Sequence, residues 1–506
     1  VSLPENNTEW PPKPWDHAYR AYAENEAWYL GDTAQLERIY RRHSQARVTH
    51  YRHGQSMSGG VAGAVSQFFW GRPVPTGQHR TRLHVPAAAD LATLSSDLVF
   101  SEPPEVQLGE TSGTTQERLN LIANSNPAHA MFNRMGELKA ALGAVVITTE
   151  WDKDVADHAW LECTAADVVI PTFRKGKLVS CVMWTAYQEG SVYWRHLESH
   201  QVGRIEHALY QGTVNNLGTR VPLTERPETS HLAKLVGENA AIETHINRLT
   251  ASYNVNMPTR SWRKLGALAN AGRSDFAGLH GLFDALDETY SSWMRDLKHG
   301  GGKVIVPESM LQSPGRGHGA FFDESQEFFT GVNSPGDPNS IMIEQVQFKI
   351  RVDEHERTAL ALYREILRAA GYSQSAWGDY GASNTTATEV EDRDKASERT
   401  RDKKTLYDAA AISEQASVAL EIDGRMFRGK GGGAYDRPTV VFPPASQIDP
   451  EKNARTIQLL AAAGAASTET LVKRAQPDWD DNQVAEEVTR IQATKQLPDP
   501  ATFTGF

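Results

Sequence analysis

Several short stretches carry residue types able to do chemistry. Asp353-Glu354-His355-Glu356 sets four potential metal ligands side by side. Neighbours on a helix point about 100° apart, so they cannot converge on one ion. The cluster suits a first helical turn, where acidic groups meet the dipole. Asp284, Asp287 and Glu288 form a second carboxylate set and read as a solvated helix face. Gly54-Gln55-Ser56-Met57-Ser58-Gly59 approaches a nucleophile elbow, but the spacing misses G-x-S-x-G and no strand leads into it. Gly315-Arg316-Gly317-His318-Gly319 lacks the strand–turn–helix setting of a dinucleotide loop and reads as a flexible loop. There is no G-x-x-x-x-G-K-[ST] and no H-E-x-x-H. Cys163 and Cys181 lie in apolar, strand-like surroundings, which favours buried free thiols in a reducing compartment over a disulfide. Arg399, Arg401, Lys403 and Lys404 make a basic patch, read as intersubunit or solvated ahead of DNA contact. No catalytic set emerges, and no metal or cofactor is expected.

The elements that would position these residues run from 274 to 422. A helix is expected from Ser274, whose hydroxyl can cap it, to about residue 299, where Gly300-Gly301-Gly302 stops it. Phe276, Leu279, Phe283, Leu286, Tyr290, Trp293 and Leu297 form one apolar stripe along it. A second helix is expected from about Asp353 to Ala370, with Leu360, Tyr363 and Leu367 on one side and Gly371 closing it. The third opens on the capping box Thr386-Ala387-Thr388-Glu389 and meets no Pro or Gly before Gly424. From 386 to 422 it would span roughly 55 Å. Its first half is polar and expected in solvent. Its second half, with Leu406, Ile412, Val418, Leu420 and Ile422, is expected to be buried.

At 506 residues the chain is too long for one core, so two or more domains are expected. Its 40% hydrophobic and 23% charged residues exclude wholesale disorder. No apolar run is long enough to span a membrane, and no secretory leader is expected. The net charge of −11 argues against a high-affinity DNA binder. Before residue 274, an arm at 1–16 carries Trp10, Trp15 and the prolines Pro11, Pro12 and Pro14. Its aromatics need a surface, from a neighbouring subunit or from the chain's own body. A helical pair follows at 17–43, then helices at 87–98 and 117–142. From 144 to 210 the period falls to two, which predicts an antiparallel meander with closure into a small barrel, and 211–262 reads as loop-rich, with Pro222, Pro227 and Pro258. Residues 300–350 read as a small α/β knob with Phe321, Phe322, Phe328 and Phe329 in its loops. A strand at 438–443 and three short helices after Asp449 complete the chain.

This order resembles the portal proteins of long-tailed double-stranded DNA bacteriophages, the siphophage portal family. The resemblance rests on several stretches taken jointly and in order. They are Ala27-Trp28-Tyr29-Leu30-Gly31-Asp32, Leu83-His84-Val85-Pro86 and the run from Ser95 to Pro104. Further on stand Lys303-Val304-Ile305-Val306-Pro307 after the first long helix, Thr385-Thr386-Ala387-Thr388-Glu389-Val390, and Ser467-Thr468-Glu469-Thr470-Leu471. The resemblance implies an α+β multidomain portal fold with a β-rich wing, helical stem, small α/β clip, long wing helix and helical C-terminal crown. The arm would be 1–16, the wing 17–272, stem helices 273–299 and 351–372, the clip 300–350, the tunnel loop 373–386, the long helix and a wing strand 387–448, and a small crown with tail 449–506.

The resemblance also implies a function: no enzymatic activity, but a ring, commonly of twelve subunits, at one capsid vertex. Double-stranded DNA would pass through it in packaging and ejection. The other expected partners are the terminase large subunit, a head–tail adaptor and the major capsid and scaffolding proteins, with no membrane. Assembly would occur in the host cytoplasm and the final place would be the virion. Phe283, Leu286, Tyr290, Trp293, Leu360, Tyr363 and Leu367 would serve stem oligomerisation, and the four clip phenylalanines an interface. Trp377, Asp379, Tyr380, Ala382, Ser383, Asn384 and Thr385 would face DNA from a loop with no Lys or Arg. The alternatives from other classes are a multidomain hydrolase with a β-barrel and a channel-less oligomeric scaffold.

Overall fold

A computed structural model describes residues 3–39, 83–109, 113–237, 240–300, 303–305, 344–346, 350–374, 387–427, 437–444, 450–476, 479 and 481–495. The chain divides into two compact units, Val1–Pro443 and Pro444–Phe506. The second unit holds three helices, Pro450–Ala462, Thr468–Ala475 and Asp481–Lys495. Ser467 caps the middle one by accepting the Thr470 amide at 3.2 Å.

The first unit is built on α1 (Trp15–Leu30), α2 (Ala87–Phe100), α3 (Gly113–Ala123) and α4 (Asn126–Leu142). The single helix expected over 117–142 is broken because Ser125 caps α4 and Pro127 follows in its first turn. Gly143 ends α4 at φ +94, and the chain turns straight into a strand. Gly272 crosses this turn so closely that a Cβ on it would lie 1.7 Å from the Gly143 carbonyl oxygen.

A short strand, β1 (Glu105–Gln107), follows α2, and the later strands form two main sheets. One has three strands, β2 (Ala144–Glu150) between β3 (Trp160–Ala165) and a later strand at Ala251–Val255. The other is the meander β4 (Val169–Arg174), β5 (Lys177–Glu189), β6 (Val192–Gln201), β7 (Arg204–Thr213) and β8 (Asn216–Val221). A further short strand, Ala241–Glu243, pairs with β7. The expected run of strands from 144 to 210 is therefore split between two sheets at the 3-10 turn Ala166–Val168. Among the described strands β4 and β8 do not pair, so the sheet is open and the expected barrel is not formed. The loop reading of 211–262 missed three strands. Cys163 and Cys181 are buried free thiols, and burial pushes Cys163 up to about 11. The arm lies on its own chain: Trp10 meets Trp184 edge-on at 5.8 Å, and its amide donates to the Asn215 carbonyl.

Three long helices complete this unit: α5 (His280–Gly300), α6 (Val352–Ala370) and α7 (Ala387–Met426). Short strands at Lys303–Ile305 and Glu344–Val346 pair between α5 and α6. The helix expected from Ser274 begins only at His280, because Gly278 sits at φ +87. Ser274 caps a turn instead, accepting the Phe276 amide at 2.9 Å. α7 runs through Gly424. The strand Thr439–Val441 pairs antiparallel with Glu105–Gln107. One core packs α1, α2, α5 and α6 together, and a second packs α3, α4, β2, β3 and the far half of α7. Among the described residues no helix is long and apolar enough to cross a membrane.

Candidate functional site: the stem pair and its root

α5 and α6 leave the body as an antiparallel-connected pair whose residues change character along their length. Nearest the body, Phe283 and Leu286 are each 1% exposed. Phe283 packs on Trp28 at 5.5 Å and on Phe276 at 5.7 Å. Leu367 and Ile366 of α6 are buried in the same core. Phe283, Leu286 and Leu367, expected to meet another subunit, are thus already covered by their own chain. Each contributes about 2–3 kcal/mol of burial to that core.

One turn on, Asp287 is buried, against the expectation of a solvated carboxylate. It accepts the Val85 amide at 2.9 Å and lies 3.0 Å from His84 Nδ1. Ser291 accepts the Leu83 amide at 3.0 Å. These bonds strap residues 83–85 along α5. Farther out, Tyr290 lies 5.9 Å from Trp293, and Trp293 stacks on His355 at 6.0 Å. His355 Nε2 is 3.0 Å from Asp296, which also accepts Arg351 at 2.9 Å. This is where the Asp353–Glu356 cluster sends its histidine: to a helix partner. Tyr363 is half-buried, and burial first, then the neighbouring Tyr290, pushes its hydroxyl up to about 12. Met294, Leu297, Val352 and Leu360 remain 38–42% exposed. The pair is fixed at one end and apolar but uncovered at the other.

The root is held by charge. Lys404, deep on α7, donates to Asp275 at 2.6 Å, to Ser95 at 2.5 Å and to the Tyr372 hydroxyl at 2.8 Å. Tyr372 donates to the same carboxylate at 2.8 Å, and Asn256 donates to its other oxygen at 2.7 Å. Burial alone would push Asp275 up. The Lys404 charge and these hydrogen bonds outweigh it and hold the carboxyl below its ordinary range. Asp275 precedes α5 and Tyr372 follows α6, so one ammonium ties both feet of the stem to the long helix. The chain leaving α6 is tied as well. Thr400 donates to the Gly371 carbonyl at 2.7 Å, and Ser397 accepts the Ser373 amide at 2.8 Å.

The same face of α7 continues the pattern. Asp408 pairs with buried Lys139 and accepts Asn254 at 2.8 Å. Asp423 takes Arg118 through both oxygens. Arg401 donates to the carbonyls of Leu98 and Pro443 at 2.7 and 2.6 Å. The basic patch is therefore divided. Arg401 and Lys404 point inward, contrary to the solvated or intersubunit reading, while Arg399 and Lys403 are exposed. From 395 to 406 α7 is solvated on only one side. Positions 397, 401, 404, 408 and 415 recur at helical spacing, but nothing in residue type marks such a face as buried.

Trp377, Asp379, Tyr380, Ala382, Ser383, Asn384 and Thr385 lie outside the described residues, as do Phe321, Phe322, Phe328 and Phe329.

The sequence model of the family described as Phage portal protein, SPP1 Gp6-like, matches residues 169–498. No curated protein matches the chain. Among solved structures, a chain of the virion of the native gene transfer agent (GTA) particle is 14% identical at a TM-score of 0.41, covering 82% of this chain and 99% of its own. A chain from the neck of the empty GTA particle, computed with C6 symmetry, is 13% identical at 0.43, covering 82% and 97%. One from the neck of the native particle, computed with C12 symmetry, is 12% identical at 0.41, covering 85% and 99%. Likenesses this loose do not discriminate one architectural detail from another.

Proposed function

This chain belongs to the SPP1 Gp6-like phage portal protein family, and we propose that it assembles a ring at one capsid vertex, around a channel that carries double-stranded DNA in and out. The observation that carries the reading is the stem pair. Its feet are locked to α7 through Lys404, while Met294, Leu297, Val352 and Leu360 stand uncovered at its outer end. A fixed amphipathic pair with a bare apolar flank needs a neighbour, and a head-to-tail contact repeated with closure makes a ring. Twelve subunits is the proposed number. The finer proposals are docking of the terminase large subunit and a head–tail adaptor, with the clip phenylalanines as anchors, and insertion into a shell of capsid and scaffolding proteins during assembly in the host cytoplasm.

The segment 373–386 follows the locked foot of α6 and contains no Lys or Arg. In the proposed channel its hydroxyl and amide side chains touch the DNA backbone without gripping it, because no counterions are released by phosphate neutralisation. A twelve-fold ring would also carry about −130 charges and repel DNA on average. The test is Ser383→Lys with Asn384→Lys. Rings should form, but packaging should slow or stall, and more at low salt than at high. Normal packaging by that ring at low salt removes the low-friction channel.

A further inference from the structure

A cleft of about 560 Å³ opens beside the stem root, lined among others by Met257, Arg260, Arg273, Lys403, Leu406 and Tyr407. Arg260 and Lys403 are exposed and Arg273 is half-buried. Among the described residues the structure shows no ion pair or hydrogen bond to any of these three cationic side chains. Asp275 also lines the cleft, but it is already held by Lys404, so the three cations keep an excess of positive charge there. Burial and the neighbouring Arg260 charge both pull Arg273 below its ordinary value, and the nearby Asp275 carboxylate only partly opposes them.

The other half of the match lies on the same helix. At about 100° per residue, one face of α7 has an acidic edge, half-buried Glu398 and exposed Asp402, and an exposed basic edge, Arg399 and Lys403. Leu406, 72% exposed, lies between them. Among the described residues, Glu398 and Asp402 also show no side-chain partner. The two edges stand at the same level of one helix and point about 100° apart. In the ring proposed above the contact is head-to-tail, so each copy must offer two different patches to its two neighbours.

We infer that the Glu398–Asp402 edge of one subunit docks into the Arg260–Arg273–Lys403 cleft of the next, with Leu406 and Tyr407 as the apolar centre of the seam. Duplex DNA does not suit the site. A cleft of this size takes a few side chains and has no room for a duplex. This inference rests on the ring reading above.

The test is charge reversal on each edge of the full chain. One variant carries Glu398→Lys and Asp402→Lys, the other Arg260→Glu and Lys403→Glu. Each alone places like charges across the seam and should raise the concentration needed for assembly by about tenfold or more. Mixed one to one, the two should assemble into rings of alternating composition, because both kinds of interface are then complementary. The quadruple variant should assemble alone. Circular dichroism and melting of the separate variants show that each still folds. Reversals that leave assembly unchanged overturn the seam while the wild-type ring still stands. Folded variants that are not rescued by mixing or by the quadruple variant overturn the pairing. Failure of the wild type to form any ring overturns the portal reading itself.

Discussion

At the scale of single residues, buried charge is what joins the stem to the body. Taking Lys404 and Asp275 out of water costs several kcal/mol each, and only their mutual contact and the surrounding donors offset it. Asp275→Asn leaves an ammonium buried without its counter-charge. We expect a loss of about 3–5 kcal/mol in denaturant unfolding, with Lys404→Met on the same background recovering part of it. An unchanged midpoint in Asp275→Asn contradicts the root as described. The β6–β7 pair offers a pH test. His196 Nε2 faces His207 Nδ1 at 3.2 Å, both rings are buried, and burial, then the His207 charge, pulls His196 down to about 4. A base with a depressed folded pKa contributes stability above its unfolded value of about 6.5 and loses it as pH falls toward 4. Glu150, pushed up to about 7 by burial and Glu198, acts in the opposite sense, so the comparison must be with a variant. Relative to wild type, His196→Gln should gain about 2 kcal/mol between pH 7.5 and 5. A pH-independent difference between the two proteins refutes the buried neutral imidazole.

At the scale of elements, the stem helices were legible because their apolar stripes have helical period and Gly371 ends α6 where a glycine should. The side of each stripe was not legible. Phe283 and Leu297 belong to one stripe, yet the first packs on Trp28, more than two hundred residues away in sequence, and the second is exposed. Periodicity states that a face is apolar and leaves open which partner covers it. The same limit hid Lys404 and Asp408, since charged residues at helical spacing look solvated until their counter-charges, Asp275 and Lys139, arrive from distant segments. Asn216–Val221 escaped notice because it is short and has Gly218 within it. The channel and clip residues lie outside the described residues, so their reading rests on the sequence. The split along the stem gives a sharper assembly test than a substitution at Leu286, which would damage the chain's own core. Leu297→Asp with Leu360→Asp changes exposed positions. It should shift the melting midpoint by only a few degrees while abolishing rings in size-exclusion chromatography. Intact rings from that double variant contradict the stem as an oligomerisation surface.

At the scale of the whole molecule, the parts agree on one design: a body of two packed sheets and helices, a stem locked to it by buried charge, and an apolar flank left uncovered at the stem's far end. Family membership states that this is a portal protein. The ring and its channel are the central claim. Native mass measurement of the purified full chain, with negative-stain images of the same sample, tests it most directly. The account predicts a single closed species near twelve times 55.9 kDa, about 670 kDa, with a central hole. A monomer at micromolar concentration, or an oligomer with no hole, contradicts it.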